Sequence, residues 1–592
     1  MTDKIRSAME KHGIDHLAVF TEDAHLSEYT GECDGYRKKL SGFTGSAGIY
    51  LVSESGTLLW TDSRYYIQAA KELEKSGTVL MKQGMAGVLS FEEYLREHVW
   101  DGQVIAFDLK TLSYDRYMKI REKLPESVQI VDGAAVLREV CDDMPKRVFN
   151  TVQMMPESFS GKSTEKKLAD VRNNIKRSYV RDGSYTYIVS DLASIMWLFN
   201  LRGSDIAYVP VAYSYAKITE YTAVLYINRK SLTDEAAHML EDAGVTVKEY
   251  SLFYRELEDT ATDVVLADRY KNNSLIPLKF DSAGIYKECL DQKIIKKAVK
   301  NQTEIKGMTD CHLKDAVIMC RFIKRIKDLA ASDELPDEYE IGEILDGMRL
   351  EGGCESPAFS TICAYGPNSA VVHYRADKGS ALKPEPKGFL LVDSGGQYSM
   401  EGTTDITRTI SLGELNELEK KVYTTVLKGN LRLMDMIFPE GFKGVLLDQA
   451  AEAPLWEEGF FCGHGIGHGV GHFLSVHESE TRISRSSSQC ESEFHPGVTV
   501  SDEPGVYLEG QFGVRLENIL LTQPAESIDS NRMCRFVPLT LVPFDREAID
   551  HSLLDDKEER ILAAYNELIM DKVFPLLDEE HKAWLKENID IK

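Results

Sequence analysis

Five side chains of metal-binding types lie in four short motifs in the second half of this 592-residue chain. Four are carboxylates and one is an imidazole: Asp393, Asp405, His468, Glu503 and Glu517. An oxygen-rich donor set with a single imidazole suits Mn²⁺, Co²⁺, Fe²⁺ or Zn²⁺, whereas structural zinc sites favour thiolates. These residue types in this order therefore predict a hydrolytic site that holds two divalent cations.

The four carboxylates are expected on two β-hairpins. Asp393 closes an apolar run, and Asp405 follows it after a Gly-containing turn. Glu503 and Glu517 flank a second turn at residues 507–513. Cβ atoms that face each other across paired strands lie about 5 Å apart, where like charges repel. A divalent cation between the strands removes that repulsion.

The histidine belongs to a segment, residues 463–471, in which every odd position is glycine. His464 and His468 have the i, i+4 spacing of a zinc-binding helix, but each glycine costs a helix about 1 kcal/mol. We therefore predict an extended strand with His464, His468 and His472 on one face. The bare glycine face should allow another backbone to approach closely.

The order and spacing of these motifs resemble the pita-bread metallopeptidases, specifically the long, three-domain aminopeptidase P family, which removes the residue before a proline. In the catalytic region the resemblance rests on LVDSG at 391–395, GTTDITRT at 402–409, HGIGHGVG at 464–471, SDEPG at 501–505 and VRLEN at 514–518. Nearer the amino terminus it rests on LSGFTGSAG at 40–48, WTDSRY at 60–65 and NLRGSD at 200–205. The resemblance covers nearly the whole chain.

The resemblance implies a role for each site residue. Asp393 would ligate one metal, His468 and Glu503 the second, and Asp405 and Glu517 would bridge the two. Three histidines match the family's catalytic histidines, which bind the substrate and the transition state: His373, His464 and His477. Two further residues match those that orient the metal ligands: Tyr507 and Arg515. Mn²⁺ is the expected metal, with Co²⁺, Fe²⁺ and Zn²⁺ as alternatives.

The ligand set predicts peptide hydrolysis by attack of a metal-bridging hydroxide. Two cations roughly 3.5–4 Å apart lower the pKa of a shared water and stabilise the oxyanion that forms at the carbonyl. Glu503 is expected to take the proton of this water and pass it to the leaving nitrogen. His373 or His477 would hydrogen-bond the oxyanion or the substrate carbonyl. Peptides with proline in the second position are expected as substrates on the resemblance alone.

Two other functions use the same kind of fold. An Xaa-Pro dipeptidase has the same metal core but is usually built with one amino-terminal domain, so the length of this chain favours the aminopeptidase. A non-catalytic peptide-binding member, or a metal-free creatinase-like hydrolase, would have lost metal ligands, and all five are present here.

The sequence departs from the family pattern in three places. One extra residue separates the two aspartates, and we place it in the turn around Met400, where a longer loop costs little. His472 stands where a small residue is common, and Ser479 stands where the family has Gly-Pro after the glutamate. The last two changes should alter the rim of the substrate cleft.

Composition excludes several partners. The net charge is −26 at pH 7 and the isoelectric point is near 5.1, so neither nucleic acid nor an anionic membrane is expected as a partner. No apolar run approaches 18 residues, and residues 1–7 are not followed by the apolar core of a signal peptide. We predict a cytoplasmic enzyme, and the resemblance implies a homodimer.

The ten cysteines include no CxxC pair, so we expect reduced thiols. Four of them lie in apolar surroundings that suit buried packing: Cys320, Cys354, Cys363 and Cys462. Cys462 neighbours the histidines but is expected in the core and not as a ligand. Residues 486–488 are expected to form a solvated turn.

The predicted fold class is α/β (α+β). Strands and helices alternate in two similar stretches. The first has a helix followed by the strand at 16–20. The second has a helix from Thr164, with Ser163 or Thr164 as its N-cap, followed by the strand at 185–189. The resemblance implies two duplicated creatinase-like domains, a pita-bread catalytic domain and a helical C-terminal extension. Their predicted ranges are 1–150, 151–303, 304–545 and 546–592, with residues 145–161 as a linker. Three residues of the amino-terminal motifs are either structural or reach a catalytic site across a subunit interface: Arg64, Tyr65 and Arg202.

Overall fold

The amino-terminal half of the chain is built from two six-stranded sheets. The computed structural model describes residues 2–485, 492–528 and 530–590, so the turn predicted at 486–488 lies outside the described residues. The first sheet contains β1 His16–Phe20, β2 Ile49–Ser53, β3 Gly56–Thr61, β4 Val79–Lys82, β5 Val104–Phe107 and β6 Gln129–Asp132. Its helices are α1 Thr2–Lys11, α2 Tyr36–Ser41, α3 Tyr66–Leu73, α4 Phe91–His98, α5 Tyr114–Lys123 and α6 Ala134–Val140.

The following stretch also alternates strands and helices. Its strands are β7 Gln153–Met154, β8 Tyr185–Val189, β9 Leu201–Arg202, β10 Ser214–Ile218, β11 Ala223–Ile227, β12 Val245–Glu249, β13 Val264–Asp268 and β14 Tyr286–Cys289. Its helices are α7 Glu157–Ser160, α8 Thr164–Ser178, α9 Leu192–Leu198, α10 Asp234–Asp242, α11 Phe253–Glu256, α12 Leu275–Asp281 and α13 Asp291–Ile294. Of the two residues expected as the N-cap of α8, the structure selects Ser163, whose hydroxyl accepts from the backbone N–H of Lys166.

The two sheets share one topology. Their strand orders are β4-β3-β2-β1-β5-β6 and β12-β11-β10-β8-β13-β14. In each sheet the central strand pairs antiparallel on one side and parallel on the other. The predicted duplication is therefore confirmed. The segment expected to be a linker carries β7 and α7, and β7 pairs with β9 of the second copy.

The rest of the chain contains the catalytic motifs. Its helices are α14 Gln302–Ala331, α15 Glu338–Glu351, α16 Glu417–Met434, α17 Gly444–Glu457, α18 Asp556–Lys572 and α19 Glu579–Glu587. Its strands are β15 Ser356–Pro357, β16 Ile362–Tyr365, β17 Phe389–Ser394, β18 Gly396–Tyr398, β19 Gly402–Thr403, β20 Ile406–Ser411, β21 Ile437–Pro439, β22 Phe442–Lys443, β23 Gly467–Gly469, β24 Glu478–Ile483, β25 Glu493–Phe494, β26 Thr499–Asp502, β27 Gly505–Leu508, β28 Phe512–Arg515, β29 Asn518–Ala525 and β30 Met533–Pro538.

Two compact units account for the chain. One comprises residues 1–157 and 162–297, and the other comprises residues 158–161 and 298–592. In the second unit the largest sheet has the order β21-β30-β29-β26-β23-β24, and a smaller one has the order β16-β17-β20. Helix α14 begins two residues before the expected Glu304, because the side chain of Asn301 caps it in a capping box with Glu304.

The end of the chain is helical, as predicted. Helices α18 and α19 pack onto the second unit, and Leu562, Tyr565 and Ile569 of α18 belong to the same hydrophobic core as the catalytic strands. Burial of this apolar face explains why the charged extension holds a fixed position on the core. In the described part of the chain, the helices all lack the combination of length and apolarity needed to cross a bilayer.

Candidate metal centre

The first predicted hairpin is confirmed. Strands β17 and β20 pair antiparallel with Asp393 opposite Thr407, and β18 pairs with β19 in the same register. The chain reverses at residues 399–401, where Met400 adopts a left-handed φ of 64°. The turn at Met400 therefore leaves intact the register that brings Asp405 back towards Asp393.

The second predicted hairpin is confirmed as well. Strands β27 and β28 pair antiparallel, while β26 and β29 pair with Asp502 opposite Asn518. Glu503 directly follows β26 and Glu517 directly precedes β29. The two glutamates thus leave neighbouring strands at the same end.

The extended strand predicted around the histidines is regular over only three residues, β23. It pairs with β24 and β26, and a bulge interrupts the register with β24 between His468 and Gly469. The expected close approach to the glycine face is confirmed. A Cβ atom on Gly467 would lie 2.1 Å from the carbonyl oxygen of Ser501, and one on Gly469 would lie 2.7 Å from that of Glu478.

The structure brings all five predicted ligands together. Donor atoms lie within 4.8 Å of one another in three overlapping groups: Asp393, Asp405 and Glu517; His468, Glu503 and Glu517; and Asp405, His468 and His477. Nε2 of His468 lies 3.3 Å from Oε1 of Glu503 and 3.5 Å from Oδ2 of Asp405. Asp405, Glu517 and His468 each belong to two groups. Of these three, the two carboxylates are the side chains that can bridge two cations.

The electrostatics of the cluster favour a cation. Burial raises the pKa of Asp405 well above its usual range, and repulsion from Asp393 and Glu503 adds to the effect. Burial raises the pKa of Glu517 in the same way, with repulsion from Asp405 next in importance. Oδ1 of Asp393 and Oε1 of Glu517 are buried without a hydrogen-bond partner among the described residues. Two divalent cations fit this donor set, because they would neutralise the carboxylates and satisfy these oxygens.

Arg515 links the cluster to the residues expected to orient it. Its guanidinium donates to Oδ2 of Asp393 at 2.6 Å, to the hydroxyl of Tyr507 at 2.7 Å and to Oγ1 of Thr407 at 3.2 Å. Thr407 in turn donates to Oε2 of Glu517 at 2.8 Å. One buried arginine therefore holds the carboxylates of both hairpins, directly or through Thr407.

The tautomers of two histidines follow from their backbone contacts. Nδ1 of His468 lies 3.0 Å from the carbonyl oxygen of Gly469, and Nδ1 of His464 lies 2.8 Å from that of Gly465. Because a carbonyl oxygen only accepts, both Nδ1 atoms carry hydrogen, and Nε2 is left as the acceptor. Nε2 of His468 therefore faces the carboxylates as a ligand atom, while Nε2 of His464 accepts from the Tyr507 hydroxyl at 2.7 Å.

The remaining two histidines, His373 and His477, are both half-buried. The ring of His477 is 4.4 Å from that of His468, and it belongs to one of the three donor groups. His373 is half-buried in the turn that follows the 3₁₀ helix Gly366–Ala370. The carbonyl oxygen of its neighbour Val372 accepts from Arg515 at 3.5 Å, so this turn is held beside the cluster.

Sequence reasoning missed Thr407 and Ser501. Thr407 lies two residues after Asp405, on the same face of the hairpin, and this alternation could have identified it. The hydroxyl of Ser501 accepts from the backbone N–H of His468 at 2.9 Å and donates to Oε1 of Glu503 at 3.2 Å. No feature of the sequence marks that serine, since its role depends on β23 lying against β26.

The departures from the family pattern occupy different environments. His472 is buried at 2% exposure, with Nε2 at 3.0 Å from the position of a Cβ on Gly307, so it packs in the core and does not shape the rim. Ser479 is exposed on β24. The preceding Glu478 forms a buried ion pair with Lys300.

Residues outside the cluster have structural contacts. The buried guanidinium of Arg202 donates to the carbonyl oxygens of Met196 and Leu201, and Arg64 pairs with Asp62. The hydroxyl of Tyr65 lies 2.6 Å from that of Ser46. The nine cysteines of the described ranges are free thiols, and the four singled out from the sequence are buried.

The fold and the donor set define a metal-dependent hydrolase, and comparisons with known proteins agree. The model of metallopeptidase family M24 matches residues 306–524, and that of the C-terminal region of peptidase M24 matches residues 532–590. Creatinase/prolidase N-terminal domain models match residues 1–140 and 143–304.

Individual relatives identify the family within the M24 metallopeptidases to which the chain belongs. The chain is 35% identical over 607 residues to the "Probable Xaa-Pro aminopeptidase P" of Botryotinia fuckeliana, which covers 99% of this chain and 92% of that one. It is 34% identical to the protein of the same name from Pyricularia oryzae, covering 98% and 97%. A solved structure, the X-prolyl aminopeptidase of Caenorhabditis elegans, superposes with a TM-score of 0.93 at 28% identity, covering 100% of this chain and 99% of that one. The chain therefore belongs to the Xaa-Pro aminopeptidase P family of M24 metallopeptidases, as the resemblance indicated.

Proposed function

We propose that this protein hydrolyses the bond between an N-terminal residue and a following proline, with two divalent cations at the cluster described above. The observation that carries the proposal is the convergence of five ligand side chains in overlapping groups, with Asp405 and Glu517 shared between groups. Asp393 would hold one cation, and His468 and Glu503 the other. Mn²⁺ is the metal we propose, on the oxygen-rich donor set.

The cations supply a nucleophile at neutral pH and positive charge for a developing oxyanion. Glu503 is the residue that we assign to move the proton from water to the leaving nitrogen. Without a bound cation, burial raises the pKa of its carboxyl above the usual range. The hydroxyl of Ser501 fixes the orientation of this carboxylate.

Two histidines are positioned for the substrate. His477 stands against His468 at the edge of the donor cluster, where it would donate to the substrate carbonyl or to the oxyanion. We propose the same role for His373, because the turn that carries it is held beside the cluster by the contact between Arg515 and the carbonyl oxygen of Val372. Nε2 of His464 accepts a hydrogen bond from the Tyr507 hydroxyl, and burial raises the pKa of that phenol, so Tyr507 stays a donor at neutral pH.

The preference for proline is supported by the relatives. Their names specify Xaa-Pro or X-prolyl substrates. The C. elegans protein is described as a cytosolic enzyme with a di-nuclear active site. We extend these properties to the present chain as a cytoplasmic enzyme acting on peptides with proline in the second position. The homodimer stays a prediction from the sequence resemblance. We retain the division into domains at residues 150, 303 and 545 as part of this proposal.

Release of the N-terminal residue from a matched pair of peptides, Arg-Pro-Pro and Arg-Ala-Ala, tests the function. Metal-stripped protein titrated with Mn²⁺ should cleave only the proline peptide, and Glu503→Ala should abolish cleavage. Glu509→Ala, an exposed glutamate on the turn of the same hairpin, is the matched control and should remain active. Cleavage of both peptides would refute the proline preference. Inactivity with Mn²⁺, Co²⁺ and Zn²⁺ would indicate a peptide-binding protein.

A further inference from the structure

Arg408 is a large buried side chain beside the metal cluster that no catalytic role uses. It lies on β20 next to Thr407 and is 1% exposed. Its guanidinium donates to the carbonyl oxygen of Glu517 at 2.7 Å, to that of Thr407 at 3.0 Å and to Oδ1 of Asn518 at 2.8 Å. Arg408 therefore holds the backbone on which the bridging ligand Glu517 is mounted.

The other contacts of Arg408 lead into the C-terminal extension. The guanidinium donates to the carbonyl oxygens of Val542 at 2.7 Å and Pro543 at 3.2 Å, and to the hydroxyl of Tyr565 at 3.1 Å. Tyr565 lies on α18, 2% exposed. Its hydroxyl also accepts from the backbone N–H of Val542 at 3.2 Å. It donates to one of three nearby acceptors: the carbonyl oxygen of Val542 at 2.9 Å, that of Thr540 at 3.0 Å, or Oδ1 of Asn518 at 3.3 Å.

These contacts form one continuous path from α18 to the cluster. The guanidinium of an arginine is planar and rigid, so its N–H donors point in fixed directions relative to one another. A shift of one acceptor therefore reorients the whole group and affects its hydrogen bonds to the other acceptors. Metal sites require ligand positions within about 0.2 Å, and outer partners that orient ligands typically change metal affinity by about 10- to 100-fold. A small displacement of the Glu517 backbone is therefore enough to alter the site.

We propose that Tyr565 acts through Arg408 as a positioning residue for Glu517, and that the C-terminal extension thereby completes the metal site. The inference rests on the proposed role of Glu517 as a metal ligand. It gives α18 a function in building the site beyond the burial of its apolar face. Neither residue touches the substrate or the reacting atoms.

The test compares two neighbours on α18. Tyr565→Phe removes only the hydroxyl that Arg408 contacts. Asn566→Ala removes a hydrogen bond of 2.9 Å from the Asn566 amide to the carbonyl oxygen of Asp590, and so loosens the extension without touching Arg408. Calorimetric titration of each metal-free, full-length protein with Mn²⁺ gives the affinity of each site, and thermal unfolding of the same samples gives their stability.

We expect Tyr565→Phe to weaken Mn²⁺ binding by about tenfold, the lower end for outer partners of a ligand. Asn566→Ala should lower the unfolding temperature and leave Mn²⁺ affinity unchanged. Arg408→Lys, which keeps the charge but loses the fork, should weaken Mn²⁺ binding more than Tyr565→Phe does.

The inference is overturned if Tyr565→Phe binds Mn²⁺ like the wild type, or if Asn566→Ala weakens binding equally. If Arg408→Lys does not fold, the comparison of Tyr565→Phe with Asn566→Ala still decides. This experiment measures metal binding and not peptide cleavage, so the result can separate the positioning role of Tyr565 from the proposed hydrolysis of Xaa-Pro peptides. A wild-type protein that binds two Mn²⁺ ions but leaves Arg-Pro-Pro intact would contradict the proposed function alone.

Discussion

Replacement of Thr407 by valine removes one hydroxyl from the centre of the ligand cluster and leaves a side chain of the same shape. That hydroxyl donates to Oε2 of Glu517 at 2.8 Å and accepts from Nε of Arg515 at 3.2 Å. Thr407 of the first hairpin is therefore the link through which Arg515 orients the carboxylate of Glu517, both of which belong to the second hairpin. Thr407 is completely buried, so water cannot take the place of the hydroxyl without disturbing the packing.

The size of the expected loss of Mn²⁺ affinity follows from the charge of the Glu517 carboxylate, which accepts the hydrogen bond. A hydrogen bond to a charged group contributes about 1.5–3 kcal/mol, and each 1.4 kcal/mol is roughly a factor of ten in an equilibrium constant. Thr407→Val should therefore weaken Mn²⁺ binding by roughly 10- to 100-fold, in the range typical of residues that orient metal ligands.

Thr409→Val provides the matched control on the same strand. Thr409 is equally buried, and its hydroxyl also makes one donated and one accepted hydrogen bond, but both go to the backbone of Arg515, at 2.9 and 3.2 Å. The two variants should lose similar stability in denaturant unfolding. In calorimetric titrations of the metal-free proteins, only Thr407→Val should lose Mn²⁺ affinity. Equal affinities for the two variants would refute the reasoning that Thr407 orients Glu517.

Three further perturbations have defined outcomes. Gly467→Ala places a Cβ 2.1 Å from the carbonyl oxygen of Ser501, so it should cost about 1–3 kcal/mol of stability and reduce Mn²⁺ affinity in calorimetry. Glu478→Gln leaves the charge of Lys300 buried without its partner, and should cost about 3–5 kcal/mol in denaturant unfolding. Burial, followed by repulsion from a neighbouring aspartate, raises the pKa of Asp291 well above its usual range, so the folded protein retains a proton that the unfolded chain releases. Stability should therefore fall as pH rises from about 4 through the raised pKa, and Asp291→Asn should flatten this dependence in urea unfolding measured across pH.

Each of these predictions has its own control. Gly347→Ala in α15 adds a Cβ that meets nothing within 4 Å, and it should leave Mn²⁺ affinity intact; equal losses at Gly347 and Gly467 would exclude the steric explanation. Replacement of Lys300 together with Glu478 by apolar residues should cost less than Glu478→Gln alone, and the opposite order would contradict the buried charge argument. If the free energy of unfolding of Asp291→Asn depends on pH as steeply as that of the wild type, another titrating group must cause the dependence.

The hairpins and the duplicated sheets were predictable because local patterns determine them. Apolar runs that end at Asp393 and Glu503, separated from their partners by Gly-containing turns, specify antiparallel pairing without distant information. Even the extra residue at Met400 could be assigned to the turn, since the register on either side had to be kept.

The unpredicted features depend on residues far apart in sequence. The strand predicted over the glycine-rich segment is limited to β23, because a bulge in its pairing with β24 and a single pairing with β26 set its length. Glycine has no side chain whose pattern could reveal those limits. The contact between Arg408 and Tyr565 joins residues 157 positions apart, and neither residue type marks it. The set of donor residues that come together was therefore predictable from the sequence, whereas the contacts that orient them required the fold.

Anomalous diffraction at the manganese edge, from crystals of the protein grown with Mn²⁺, tests the central claim most directly. The account predicts two peaks within the cluster. One should be contacted by Asp393 and the other by His468 and Glu503, with Asp405 and Glu517 at both. A single peak, or a peak away from these carboxylates, would contradict the two-metal site on which the proposed function rests.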